Sequence, residues 1–188
     1  MSLTEVDWKL IPAPADDGAA VHLQGMTLPD VSLRSTSGGY VRLSDLRGRT
    51  VLYVYPMTGR PDRDLPEGWN DTPGARGCTP QSCAYRDHAA ELKGLGVDQL
   101  YGLSVQSSED QKEAVERLHL PYPLLSDAEG EAAAALDLPR LEVAGQTYLK
   151  RLTMILRDAQ VEKLFYPVFP PDQDAPNVLD WLRHHAED

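Results

Sequence analysis

Two apolar runs limit what this chain can fold into. Val51-Leu52-Tyr53-Val54-Tyr55 and Leu100-Tyr101-Gly102-Leu103-Ser104-Val105 are dominated by β-branched, aromatic and leucine residues. Strands of that composition need cover on both faces, so they belong in the middle of a sheet. Helical patterns lie after each of them. Small and apolar residues at Cys83, Ala84, Ala89, Ala90 and Leu92 predict a helix over residues 80–95, ended by Gly94 and Gly96. Residues 108–119 predict an amphipathic helix that starts at Ser108 or Glu109 and stops before Pro121. An Ala-rich helix over 129–136 and a closing helix over 178–185 follow the same reasoning. Residues 26–33 and 39–43 alternate around Gly38-Gly39 and read as a β-hairpin. Residues 124–127 form a short strand and turn, and 151–157 and 160–166 two strands joined at Asp158-Ala159. Alternating strand and helix in the middle, with hairpins at both ends, predicts an α/β fold whose mixed central sheet carries helices on both faces. With 188 residues, one domain plus extensions is the default.

Both cysteines of the chain fall between the two apolar runs, in Gly74-Ala-Arg-Gly-Cys78-Thr-Pro-Gln-Ser-Cys83-Ala-Tyr-Arg-Asp87. Thr79-Pro80 reads as a helix start, with Thr79 as N-cap and Pro80 at the first helical position, so Cys78 sits at a helix N-terminus. The partial positive charge there stabilises a thiolate, which is the nucleophilic form, and Arg76 and Arg86 add to it if they point inward. Cys83 lies five residues on, which puts the two Cα atoms roughly 8–9 Å apart along a helix. A disulfide tolerates about 7 Å at most, so the pair can join only when the first turn unwinds. An attacking and a resolving thiol, separate when reduced and joined after local unfolding, fit a peroxide-reducing cycle better than a static bridge.

Composition removes several other classes of function. A formal net charge of −11 and a pI near 4.8 argue against sequence-independent nucleic-acid binding, which needs clustered Lys and Arg. No apolar run approaches the roughly 20 residues of a membrane span, and the N-terminus lacks the basic and apolar regions of a signal peptide, so a cytoplasmic address is expected. In that reducing compartment two cysteines are redox-active sooner than structural. Their spacing is not the Cys-x-x-Cys of a thioredoxin-type reductase or zinc knuckle, and the five histidines make no metal-ligand spacing with them.

Two stretches stand outside the strand and helix pattern. Residues 1–25, with Pro12, Pro14 and Gly18-Ala19-Ala20, read as an N-terminal extension: a surface strap or a partly ordered arm before a domain over 26–188. Residues 57–77 form a Gly-, Pro- and Asp-rich insertion that leads straight to Cys78 and reads as a lid or wall of the site, with Trp69 available as an apolar anchor.

Cys78-Thr79-Pro80-Gln81-Ser82-Cys83-Ala84-Tyr85-Arg86-Asp87 resembles the active-site helix of the PrxQ, or bacterioferritin-comigratory-protein, group of peroxiredoxins. Leu43-Ser44-Asp45-Leu46-Arg47-Gly48 with the strand after it, Pro123-Leu124-Leu125-Ser126-Asp127, and Arg151-Leu152-Thr153-Met154-Ile155-Leu156 match in order, so the resemblance covers most of the chain. It implies a thioredoxin-like fold and reduction of hydrogen peroxide and organic hydroperoxides. Cys78 is then the attacking thiol and Cys83 the resolving one, joined in an intramolecular disulfide. Arg151 stabilises the thiolate and orients peroxide; without the resemblance, it is an arginine on an apolar strand that faces solvent or finds a partner. Thioredoxin or a similar dithiol is the implied reductant, no metal or organic cofactor is implied, and a monomer is expected. The sequence departs from the family at Ala75, where a peroxide-holding hydroxyl belongs three residues before the cysteine. Thr72 or Arg76 is the expected replacement, carried in by the insertion. A thiol-disulfide oxidoreductase or a non-enzymatic redox sensor on the same fold is the alternative reading.

Overall fold

The computed structural model describes residues 6–185. The first five residues of the expected 1–25 extension and the last three of the 26–188 domain therefore lie outside the described residues. Nine strands and four α-helices follow in chain order: β1 (Ser32–Ser35), β2 (Tyr40–Arg42), β3 (Arg49–Val54), α1 (Cys78–Gly94), β4 (Val97–Ser104), α2 (Ser108–Leu118), β5 (Leu124–Ser126), α3 (Glu131–Ala135), β6 (Arg140–Val143), β7 (Gln146–Leu149), β8 (Leu152–Arg157), β9 (Gln160–Phe165) and α4 (Asp174–His184). Seven strands form one mixed sheet in the order β2-β1-β5-β4-β3-β8-β9. β3, β4 and β5 run parallel, joined through α1 and α2, while β1 and β8 close the flanks antiparallel. This is the predicted α/β architecture.

The alternation of β3 shows why its whole run is apolar. Leu52 and Val54 join Leu33, Leu103, Leu125 and Met154 in a core closed by Ala132 and Ala133 of α3 and by Ala20 and Leu23 of the N-terminal segment. Val51 and Tyr53 point to the opposite face, where Tyr85 and Leu92 of α1, Ala114 and Leu118 of α2, and Val178, Leu179 and Leu182 of α4 cover them. Tyr53 is admitted by Gly102 on the neighbouring strand, where an added Cβ would lie 2.7 Å from the tyrosine ring. Period two sorts the side chains to two faces, and both faces are dry.

The hairpin expected at Gly38-Gly39 forms, with Leu33 opposite Val41. The pair expected at Asp158-Ala159 also forms, its two turn residues taking φ of 48° and 65°. Arg151 falls just before β8 rather than on it. The β6–β7 hairpin has no counterpart among the expected elements; it is a separate two-stranded sheet turned at Ala144-Gly145.

The N-terminal segment runs along the domain. Ala20 and Leu23 are buried, Gln24 donates to the Glu162 carbonyl at 2.8 Å, and Asp17 holds Lys150 at 2.8 Å and the Tyr166 hydroxyl at 2.6 Å. Those two contacts push the Asp17 carboxyl well below the usual carboxylate range.

Candidate active site

α1 starts two residues earlier than Thr79-Pro80 suggests. Gly77 is the N-cap, with φ 113°, so Cys78, Thr79 and Pro80 form the opening positions of the helix and Thr79 does not cap it. The chain can start there because Gly77 turns where a side chain could not: a Cβ would stand 2.6 Å from Pro171 Cγ and 3.0 Å from Trp8 Cη2. Pro80 costs nothing at the third position, since the first helical N–H to find a carbonyl is that of Gln81, donating to Gly77 at 3.1 Å. The N–H groups of Cys78 and Thr79 thus precede the helical ladder. They sit where the helix dipole is positive.

Cys78 is 3 % exposed, and the buried guanidinium of Arg151 donates from Nη2 to its Sγ at 2.9 Å. The same fork donates from Nε to Gln81 Oε1 at 2.8 Å and from Nη1 to the Gly74 carbonyl at 3.0 Å. A solvent-facing Arg151 is therefore excluded. Gln81 passes the connection on, its Nε2 donating to Asp174 Oδ2 at 2.9 Å. Tyr85 and Thr153 donate to that same oxygen at 2.8 and 2.7 Å. Burial raises the Asp174 carboxyl above its ordinary value, against the opposing pull of Thr153, Gln81 and Tyr85. A planar fork suits this duty, because one guanidinium fixes its own orientation through Gln81 and Gly74 while presenting a charged donor to sulfur.

Cys83, on the next turn and a half of α1, is half-buried against the α1-side core, and both cysteines are free thiols. Burial pushes the Cys83 thiol up, opposed by the nearby Arg86. Between the cysteines, Ser82 is tied to the sheet: the Tyr53 hydroxyl donates to its Oγ at 3.0 Å and the Tyr122 hydroxyl to its carbonyl at 2.8 Å. Burial holds both phenols well above their usual range, so they act as neutral donors.

A cleft of about 390 Å³ opens beside Cys78, lined among others by Trp8, Met57, Leu65, Asn70, Arg76 and Thr79. The insertion supplies much of that wall. It is pinned by Trp69, which packs with Ala75, Leu141 and Val143 and meets the Tyr148 ring edge-on at 5.0 Å. The unforeseen β6–β7 hairpin is thus the seat of the insertion. Arg60 and Arg63 do not turn toward Cys78; each holds Asp110 on α2 at 2.9 Å. Thr72 is also engaged elsewhere. Its hydroxyl donates to the Gly68 carbonyl at 2.8 Å, closing the 3₁₀ turn at Trp69–Asp71, and it borders a different hollow, on the Gly74 side of Arg151. Arg76 is exposed and borders the Cys78 cleft.

Gln81, Asp174 and Trp8 are site residues that the sequence alone did not single out. Gln81 carries a signal in hindsight, as a polar residue one turn after Cys78 on a helix face that must be buried. Asp174 and Trp8, far from the cysteines in the chain, carry none.

A mixed sheet of this order, with a buried thiol held by a guanidinium at the opening of the helix after β3, defines a thiol-dependent oxidoreductase of the thioredoxin-like class. Comparison with known proteins narrows the class. The Redoxin family model matches residues 23–182, and the chain belongs to that family. Peroxiredoxin Bcp of Escherichia coli K12 is 31 % identical over 167 residues, spanning 86 % of this chain and 96 % of that one. The chloroplastic peroxiredoxin Q of Sedum lineare is 27 % identical over 161 residues, spanning 85 % and 77 %. The crystal structure of peroxidoxin BcpB from Mycobacterium tuberculosis superposes with a TM-score of 0.68 at 28 % identity, covering 86 % of this chain and 96 % of that one. Within the redoxins the chain is a Bcp/PrxQ-type peroxiredoxin. The match begins at residue 23, so the segment that carries Trp8 and Pro14 is outside it.

Proposed function

We propose the following division of labour for a thiol peroxidase of this family. Cys78, as thiolate, attacks the terminal oxygen of a peroxide, ROOH; the O–O bond breaks, RO⁻ departs and takes a proton from water to leave as ROH, and Cys78 becomes a sulfenic acid. Cys83 then attacks the Cys78 sulfur, forming an intramolecular disulfide and releasing water. An external dithiol returns both sulfurs to thiols and leaves oxidised. Arg151 stabilises the attacking thiolate, and the 2.9 Å contact from its Nη2 to Cys78 Sγ is the observation that carries the reading. With the Thr72 hydroxyl committed to Gly68, the N–H groups of Cys78 and Thr79 are the donors assigned to the peroxide oxygens. Hydrogen peroxide and organic hydroperoxides are the proposed substrates, and thioredoxin or a similar dithiol the reductant.

No helix among the described residues is long and apolar enough to cross a membrane, which supports a cytoplasmic address. Among the described residues, large hydrophobic side chains are exposed only singly, at Leu10, Val21, Tyr40 and Leu65, which supports a monomer. The domain is read as 26–188, preceded by the extension over 1–25.

Titration of the reduced protein with peroxide, followed by mass analysis, tests the division of labour. The wild type should lose the two thiol hydrogens, Cys83→Ser should gain one oxygen, and Cys78→Ser should stay unmodified. A Cys78→Ser protein that still consumes peroxide at the wild-type rate would refute it.

A further inference from the structure

We infer that the N-terminal strap over residues 8–17 is a clamp on the turn that delivers Cys78, and that it sets the rate at which the Cys78–Cys83 disulfide closes. The inference rests on the roles proposed above for the two cysteines.

Two strap residues touch the delivering turn. The Trp8 ring lies on Gly77, and Pro14 lies on Gly74, where an added Cβ would be 3.4 Å from Pro14 Cβ. Between those points run the carbonyls of Gly74 and Ala75 that Arg151 holds, and the turn ends at Cys78. The strap's own polar anchors are elsewhere. Trp8 Nε1 donates to Asp172 Oδ2 at 3.0 Å and its ring meets Phe169 edge-on at 6.1 Å. Asp17 is held by Lys150 and Tyr166. The strap is thus fixed at both ends to the C-terminal part of the domain and passes over the start of α1.

Disulfide closure requires this start to move. The Cys83 sulfur attacks the sulfenic sulfur of Cys78, the S–S bond forms, the S–O bond breaks, and the hydroxyl leaves as water with the Cys83 proton. Helical spacing of roughly 8–9 Å between the Cα atoms must shrink below about 7 Å first. Opening the first turn carries Gly77 away from Trp8, so each strap contact favours the closed turn over the opened one. A longer-lived sulfenic acid then meets more second peroxides, each of which adds an oxygen to give the sulfinic acid and releases ROH. Trp8 also lines the Cys78 cleft, so its loss can slow the first step, but as a clamp it is a positioning residue whose removal speeds only the second.

Full-length wild type, Trp8→Ala and Trp8→Phe distinguish the steps. Reduced protein is mixed with hydrogen peroxide, quenched with an alkylating agent and analysed by mass. Loss of the Cys78 thiol reports the first step and scales with peroxide; disulfide formation reports the second and does not. Trp8→Ala should speed closure about tenfold, equivalent to about 1.4 kcal/mol, while the first step does not accelerate. Its sulfinic fraction at high peroxide should fall. Trp8→Phe keeps a ring on Gly77 but loses the bond to Asp172, and should lie between. Equal closure rates in wild type and Trp8→Ala, with both forming the disulfide, would overturn the clamp and leave the cysteine roles standing. A Trp8→Ala protein slower in both steps, with a lower urea midpoint, would make Trp8 a structural residue and overturn the clamp as well. A wild type that forms no Cys78–Cys83 disulfide would overturn the clamp and the cysteine roles together.

Discussion

Replacing Arg151 by Met removes the charge and the fork while keeping a long side chain in a buried site. Cys78 Sγ is then deprived of one charge-assisted hydrogen bond. Such a bond contributes about 1.5–3 kcal/mol net, so the second-order rate constant for peroxide should fall by roughly 10- to 150-fold. The same substitution leaves Gln81 Oε1 and the carbonyl of Gly74 without their donor. Each unpaired buried acceptor costs about 1–3 kcal/mol, so the variant should also be less stable by a few kcal/mol. Activity and stability are separated by assaying at a temperature where circular dichroism shows the variant folded, with stopped-flow mixing of the reduced protein and hydrogen peroxide. Arg151→Lys provides the internal comparison. It keeps the charge, but an ammonium lacks the planar fork that serves sulfur, Gln81 and Gly74 together, so its rate should lie between wild type and Arg151→Met. A rate constant in Arg151→Met within a factor of about two of wild type would refute the argument, because it would leave less than about 0.5 kcal/mol for the hydrogen bond to sulfur.

Three further outcomes are expected. Gly77→Ala forces a side chain at φ 113° into Pro171 and Trp8, and should cost at least about 2 kcal/mol; an unchanged melting temperature would show that the helix start has another way to turn. In Cys78→Ser, alkylation of Cys83 should rise with a midpoint above the ordinary thiol value of about 8.5, since burial disfavours the thiolate. By the sign of that shift, the protonated Cys83 supports folding below the unfolded thiol value and the support fades as pH rises through the folded one; a midpoint no higher than that of the same thiol in the urea-unfolded protein would be inconsistent with the burial seen. Trp69→Ala empties the seat of the insertion and should lower stability by about 3 kcal/mol in urea unfolding, and an unchanged midpoint would show the insertion to be held by its Arg60 and Arg63 contacts instead.

What the sequence made legible follows from how local each signal is. β3 and β4 are readable because burial on both faces leaves no polar alternation; α1 is readable from its punctuation, Thr79-Pro80 at one end and Gly94 and Gly96 at the other, although the face it buries is Cys78, Gln81, Ser82, Tyr85 and Leu92 and not the alanines. The exact start of α1 was displaced, because Thr79-Pro80 satisfies the local rules for a cap while Gly77, pressed between Trp8 and Pro171, satisfies the packing. The β6–β7 hairpin has only a short signal in the sequence, Leu141 and Val143 alternating with Arg140 and Glu142 before Ala144-Gly145, and it is the structure that shows the turn, with φ of 50° and 77°. Arg151 was found through the family pattern, since a guanidinium beside apolar strand residues reads equally well as exposed. Its position against Cys78 depends on Gln81 and Asp174, which are 93 residues apart and share no local pattern. Thr72 is the converse case, a hydroxyl near enough in sequence to suggest peroxide but turned to close its own loop.

The carboxyl of Asp174 opens α4, yet it is the group that turns Gln81, and Gln81 in turn aims Arg151. The surroundings of Cys78 are thus completed by a residue nearly a hundred positions away in the chain. A polypeptide halted after β9 would already own both cysteines, the arginine and every strand of the sheet, and would still lack the anchor that fixes where the arginine points. The orientation of Arg151 beside Cys78 therefore depends on the docking of α4, and removing that helix removes the anchor.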